Sequence, residues 1–187
     1  GSFIEDWGHA GSDDGQFNLP WGINVDQSGN VYVADWRNDR IQKFDPYGRH
    51  IGNWGSPGNG DGQFHRPAGV AIDRDGDIYV ADWGNERVQV IGQDGEFRGK
   101  FRGESGMSKW AQEYWLTEPD ELAERERSDL EPQPYMSTHT SARSESAAIE
   151  KLFWGPTAVK VDDHGRICVV DSCRYRIQIY CKDGWSQ

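Results

Sequence analysis

"GNVYVADWRNDRIQKFD" occupies residues 29–45, and "GDIYVADWGNERVQVIG" occupies residues 76–92. A third version, "GRICVVDSCRYRIQIYC", follows at residues 165–181. The first two copies stand 47 residues apart, an offset that carries Phe17 to Phe64, Pro20 to Pro67, Asp35 to Asp82 and Arg40 to Arg87. The second and third stand 89 apart, carrying Pro67 to Pro156, Asp82 to Asp171 and Arg87 to Arg176. A period in this range is the signature of a solenoid, a propeller or an array, in which each repeat buries its apolar faces against its neighbours.

Within a copy, apolar residues alternate or cluster in short runs: Ile23 and Val25, residues 31–34, Ile41 and Phe44, Ile51 and Trp54. Such runs are too short for helices and are bounded by turn chemistry, so each copy reads as a four-stranded antiparallel meander. Gly29, Gly76 and Gly165, and later Gly48, Gly95 and Gly184, stand where tight turns need positive φ. The acid that ends the second strand (Asp35, Asp82, Asp171) faces the arginine that begins the third (Arg40, Arg87, Arg176). A pair required in every copy is explained by the fold before it is explained by catalysis.

The pattern P-x-G-[IV]-x-[VI]-D, then G-[ND]-[VI]-Y-V-A-D-W-x-N-x-R-[IV]-Q-x-[FI], resembles the NHL repeat over residues 1–101 and 154–187. That resemblance implies an all-β fold of β-propeller blades, usually six to a ring. The expected architecture is three blades, half of a six-bladed ring, with a mainly helical insertion. The third copy departs at Ser172, Cys173, Arg174 and Tyr175, where the others read Trp, x, Asn and an acid.

The expected organisation is 1–101 for an N-terminal outer strand and two blades, 102–152 for the insertion, and 153–187 for a third blade without its fourth strand. Ile4 and Trp7 align with Ile51 and Trp54, so the opening residues read as an outer strand lacking its own blade. At about 60° per blade three blades sweep half a circle, and two copies close a C2 ring. The expectation is a homodimer in which residues 3–7 of one copy complete the third blade of the other. Phe3, Ile4, Trp7, Ile179 and Cys181 are the residues of that exchange. The competing reading is a segment of a longer six-bladed chain, and a third is end-to-end assembly through open strand edges.

In the insertion, helices are expected at about 108–116 and 118–130, the second capped by Thr117 with Pro119 in its first turn. A Pro-, Ser- and Thr-rich connector covers residues 131–146, and a short helix within 146–154 turns Ile149 and Leu152 inward. Strand parity places the insertion on the same rim as the loops between second and third strands. Trp110, Tyr114, Trp115 and Ile149 are the expected glue.

That rim gathers Trp21, Trp36, Arg37, Trp83, Arg174 and Tyr175, the residue types that dominate protein contacts. Trp36 and Trp83 suit packing between blades equally well. The reading is a non-catalytic module that binds a protein or peptide, itself, or both. Some NHL propellers bind RNA through a basic surface. The net charge of −11 here argues against nucleic acid.

No GxSxG, HExxH or P-loop occurs, and no catalytic residue, metal ligand or cofactor is assigned. The alternative is a metal-dependent hydrolase or lyase with its site at the central opening. Cys168, Cys173 and Cys181 have no CxxC spacing and suit free thiols, with a cross-strand pair between Cys168 and Cys181 as the other possibility. No run is long enough to span a membrane, and the lack of a signal-peptide pattern favours the cytoplasm.

Overall fold

The computed structural model describes residues 1–107, 109–132 and 141–182, with the side chains of 109–111 left aside. The turn expected at Gly184, part of the connector at 133–140, and the side chain of Trp110 lie outside the described residues. A short parallel pair, β1 (His9–Ala10) and β2 (Gln16–Phe17), leads into the first blade. That blade is β3 (Pro20–Val25), β4 (Val31–Asp35), β5 (Arg40–Phe44) and β6 (His50–Trp54), paired antiparallel in chain order. The second is β7 (Pro67–Ile72), β8 (Ile78–Asp82), β9 (Arg87–Ile91) and β10 (Phe97–Phe101), paired in the same way. The third comprises β11 (Pro156–Val161), β12 (Arg166–Asp171) and β13 (Arg176–Cys181), with β13 at the sheet edge. The chain thus forms propeller blades over half a ring.

Two cores glue the blades face to face. Between the first and second lie Tyr32, Ala34 and Ile41 against Phe64, Val70, Ile78, Val80 and Ile91, with Trp54 packed on their margin. Between the second and third lie Tyr79, Ala81, Val88 and Val90 against Phe153, Val159, Ile167 and Val169. Side chains alternate across each strand, so the second blade faces both cores, and β8 and β9 are buried throughout. Near the axis the inner strands approach so closely that only glycine fits. A Cβ on Gly22 would lie 2.5 Å from the Ala68 carbonyl oxygen, and one on Gly69 2.9 Å from the Ala158 Cα. The corresponding third-blade residue is Ala158, on the exposed flank.

Each blade is locked by its acid. Asp82 Oδ1 accepts the His65 amide at 2.7 Å, and its Oδ2 accepts Arg87 Nε and Asn85 Nδ2, both at 2.8 Å, and Gln89 Nε2 at 3.2 Å. Asp35 does the same with Asn18, Asn38, Arg40 and Gln42. Asp171 holds Trp154, Arg176 and Gln178. All three carboxylates are fully buried. Each arginine then ties down the loop before the first strand: Arg87 donates to the carbonyls of Asn59, Gly60 and Gln63. These bonds make the Asp and Arg ring structural.

Between β10 and β11 stand α1 (Lys109–Thr117), α2 (Pro119–Arg127) and α3 (Ala142–Ala148). Helix α2 starts on Glu118 with Pro119 in its first turn. Thr117 does not cap it; its hydroxyl donates back to the Tyr114 carbonyl at 2.7 Å. Helix α3 begins earlier than the sequence suggested, because the Ser141 hydroxyl accepts the Ser144 amide at 3.2 Å as an N-cap. Ile149 stands just beyond its end and is half-buried, and Leu152 is buried.

Candidate functional site

The loops joining second and third strands form one rim, each a 3-10 turn: Trp36–Asn38, Trp83–Asn85 and Ser172–Arg174. Each turn ends on a left-handed residue, Asp39, Glu86 or Tyr175, with φ of 52° to 53°. In the first two blades that residue is an acid reaching the next blade. Asp39 Oδ1 accepts the Arg66 amide at 2.6 Å, and Glu86 Oε2 accepts the Gly155 amide at 2.5 Å. Positions 66 and 155 are equivalent in the repeat, so both are the same interblade clasp. Tyr175 makes no such reach and is 97% exposed.

The indoles line up across the first two blades. Trp21 lies 5.6 Å from Trp36, and Trp36 lies 6.2 Å from Trp83, between ring centroids. Trp21 is exposed, while Trp36 and Trp83 are half-buried, so these two both pack and present a face. The Arg66 guanidinium stands 4.9 Å over Trp36, with Arg37 at 5.9 Å. Over Trp83 stands Arg143 of α3, at 5.1 Å. The structure thus brings Trp21, Trp36, Arg37 and Trp83 into one surface and adds Arg66, Arg143 and Trp154.

Arg174 has a different employment. Its Nη2 donates to the carbonyls of Ser146, Ala147 and Ile149 at 2.7, 3.2 and 3.1 Å, at the C-terminal end of α3. A cation there complements the helix dipole. Its repeat equivalents Asn38 and Asn85 donate to the Gly11 and Gly58 carbonyls. The end of α3 therefore occupies the place that a repeat loop fills in the other blades.

Burial pushes the Glu86 carboxyl above its ordinary range, against the opposing pull of the Gly155 amide and the Arg143 guanidinium. Its side chain has no solvent exposure, and Arg143 Nη1 donates to Oε1 at 2.6 Å. Sequence reasoning missed Glu86, Arg143 and Trp154. The available signal was Gly155 in place of Arg66, which leaves the third copy without its own arginine for the rim.

On the opposite rim, Lys182 Nζ donates to Asp73 at 2.8 Å and Asp75 at 2.7 Å, and pairs with Asp77 at 2.9 Å. Partial burial pulls the ammonium down, but the three carboxylates outweigh it and raise it above its usual value. This cluster fastens the end of β13 to the β7–β8 turn. Among the described residues no group of His, Cys, Asp and Glu is arranged to hold a metal ion. Among the described residues no helix is long and apolar enough to cross a membrane. All three cysteines are free thiols.

Phe3 and Ile4 are 81% and 93% exposed, and residues 1–8 form no strand. Trp7 packs its ring 4.5 Å from Phe44 and 6.1 Å from Phe17. Ile179 and Cys181 lie exposed on β13. Beside that edge runs an 800 Å³ cleft lined by Met107, Trp115, Tyr175, Ile177 and Ile179 among others.

The NHL repeat family model matches residues 17–44, 64–91 and 153–180, so the chain carries three NHL repeats. Protein lin-41 of Caenorhabditis elegans is 53% identical over 45 residues, 24% of this chain and 4% of that protein. E3 ubiquitin-protein ligase TRIM71 of Bos taurus is 48% identical over 42 residues, 22% of this chain and 5% of the relative. The chain thus spans about a twentieth of the length of these relatives. A Bacteroides thetaiotaomicron protein of unknown function superposes with a TM-score of 0.49 at 17% identity, covering 82% of this chain and 32% of the other. Virginiamycin B lyase from Staphylococcus aureus gives a TM-score of 0.45 at 12% identity, covering 87% and 41%.

Proposed function

We propose that this chain is a non-catalytic, protein-binding propeller module whose contact face is the rim built from Trp21, Trp36, Arg37 and Trp83, with Tyr175 at its far end and residues 102–152 as a rim insertion. The observation that carries the reading is the continuous indole row with guanidinium groups standing over it. Indole and guanidinium surfaces give large contact area with a polar handle, the composition of binding hot spots. A family of repeats shared with an E3 ubiquitin-protein ligase, an enzyme class that acts on proteins, is consistent with a protein ligand.

A photo-crosslinking amino acid at position 37 is expected to trap protein partners that the same group at position 27, on the other rim, does not trap. Trp36→Ala is expected to abolish those adducts. Equal trapping from both rims would refute the assignment.

The same proposal includes assembly. The apolar flank of the third blade exposes Val170, Ile177 and Ile179, and that of the first exposes Ile23 and Val25. Their repeat equivalents at the two internal junctions are buried or half-buried, so a blade is the occupant each flank fits. A second copy supplies both flanks at once, with residues 3–7 adding a strand to β13 in the cleft beside it. Sedimentation equilibrium is expected to give a dimer, and removal of residues 1–8 a monomer. A folded monomer for the intact chain would exclude it.

A further inference from the structure

The repeat offset carries Arg66 onto Gly155, so the third blade lacks the arginine that roofs the preceding indole in the first junction. Arg143 reaches that place from α3 instead. Its guanidinium stands 5.1 Å from Trp83 and 5.9 Å from Trp154, and Nη1 donates to Glu86 at 2.6 Å. Nη2 lies 3.7 Å from Cys173 Sγ. Trp154 also carries Arg174 at 5.4 Å. An indole face and a buried carboxylate, with that shared second indole beside them, select a planar guanidinium over an ammonium.

A second observation concerns how α3 is seated. Ser146 Oγ, Trp154 Nε1 and Arg174 Nε are buried under or beside it without a hydrogen-bond partner. Buried groups left in this way weaken an association. A seven-residue helix has no stability of its own to add. Its seat is therefore one from which a better-matched segment can displace it.

We propose that Trp83, Trp154 and Glu86 form an arginine-recognition cage that α3 occupies in cis through Arg143, and that an arginine-bearing segment of a partner protein displaces it. The net charge of −11 favours the approach of such a basic segment. The proposal deepens the rim reading and rests on it for the partner being a protein.

The test uses the full chain with Arg143→Ala, acetyl-arginine amide as the probe, and titration calorimetry as the readout. The variant is expected to bind the probe at least about tenfold more tightly than the wild type, whose cage is filled. It is expected to prefer the probe over acetyl-lysine amide by about fivefold or more, a preference that Glu86→Gln removes. Equal affinity of wild type and variant, or no saturable binding by the folded variant, overturns the proposal. Should the variant fail to fold, hydrogen exchange on the wild type decides: the probe at high concentration is expected to speed exchange of the amides of residues 144–148, and unchanged exchange overturns the cage. Crosslinks from position 37 that persist while the cage binds nothing would remove the cage and leave the rim assignment standing. Cage binding without such crosslinks would do the reverse.

Discussion

The two interblade junctions place a guanidinium over an indole by different means. At the first, Arg66 covers Trp36 and belongs to the second blade's own loop, with its amide clasped by Asp39. At the second, the loop residue is Gly155, and the guanidinium over Trp83 arrives from a helix 57 residues beyond its carboxylate partner. Glu86, one methylene longer than Asp39, holds the loop amide with one oxygen and Arg143 with the other. The first junction is closed by local chain. The second is closed by a part that can leave, and a repeat protein thereby acquires one junction that responds to a ligand.

The largest expected effect tests the buried acid that locks each blade. Asp82→Ala strips the buried partner from Arg87 and orphans the His65 amide, and a broken buried pair costs about 3–5 kcal/mol. Urea unfolding followed by tryptophan fluorescence is expected to show that loss, and a cost below about 1 kcal/mol would show that the acid is not the lock described here. Next in size is packing at the axis. Gly69→Ala drives a Cβ to 2.9 Å from Ala158, and overpacking of this kind costs about 1–3 kcal/mol. Ala158→Gly relieves the corresponding position on the open flank. If a second copy docks there with internal-junction spacing, this substitution tightens the dimer, and an unchanged dissociation constant argues for another arrangement.

A smaller effect separates the left-handed residues. Glu86→Gly gives up a clasp and an ion pair and is expected to destabilise the chain. Tyr175→Gly removes a bulky residue held at φ 53° with nothing to clasp, and is expected to stabilise by about 1 kcal/mol. Thermal unfolding of the two variants should move in opposite directions.

The blades were legible because their causes are local and occur three times: alternation, turn glycines, and the Asp–Arg pair across one hairpin. The indole row was legible in part, since Trp36, Arg37 and Trp83 sit in repeated loops whose rim is fixed by strand parity, and Trp21 stands at the start of β3 on that rim. Arg174 was legible as a rim residue but not as the cap of α3, because its acceptors are backbone carbonyls without a side-chain signature. Glu86 and Arg143 form a pair across 57 residues, and no periodic pattern encodes such a contact. The start of α3 turns on a single Ser141 cap inside a stretch whose composition otherwise reads as connector.

The smallest effect is with pH, and its sign differs between the two kinds of carboxylate. Asp162 accepts the Arg166 amide, the Arg166 guanidinium and the His164 amide, which hold its carboxyl below the ordinary value of 3.8. At Asp45 burial acts upward and is outweighed by the Arg49 amide and side chain and the Tyr47 amide, so it too is lowered. A carboxyl lowered by folding adds stability above its unfolded value and loses it as pH falls through the folded one. These turns should therefore hold to about pH 4 and weaken below it. Glu86 is raised, chiefly by burial, so its contribution to global stability is present below its unfolded value and lost as pH rises through the folded one. Its ion pair with Arg143 has the opposite dependence, because a protonated Glu86 no longer balances the guanidinium. Acidification should thus free α3 before the hairpin turns fail. Tryptophan fluorescence from Trp83 and Trp154 is expected to change at a higher pH than the far-ultraviolet β signal, and Glu86→Gln should erase the first step alone. A single coincident transition in the wild type would mean that the second junction is as fixed as the first.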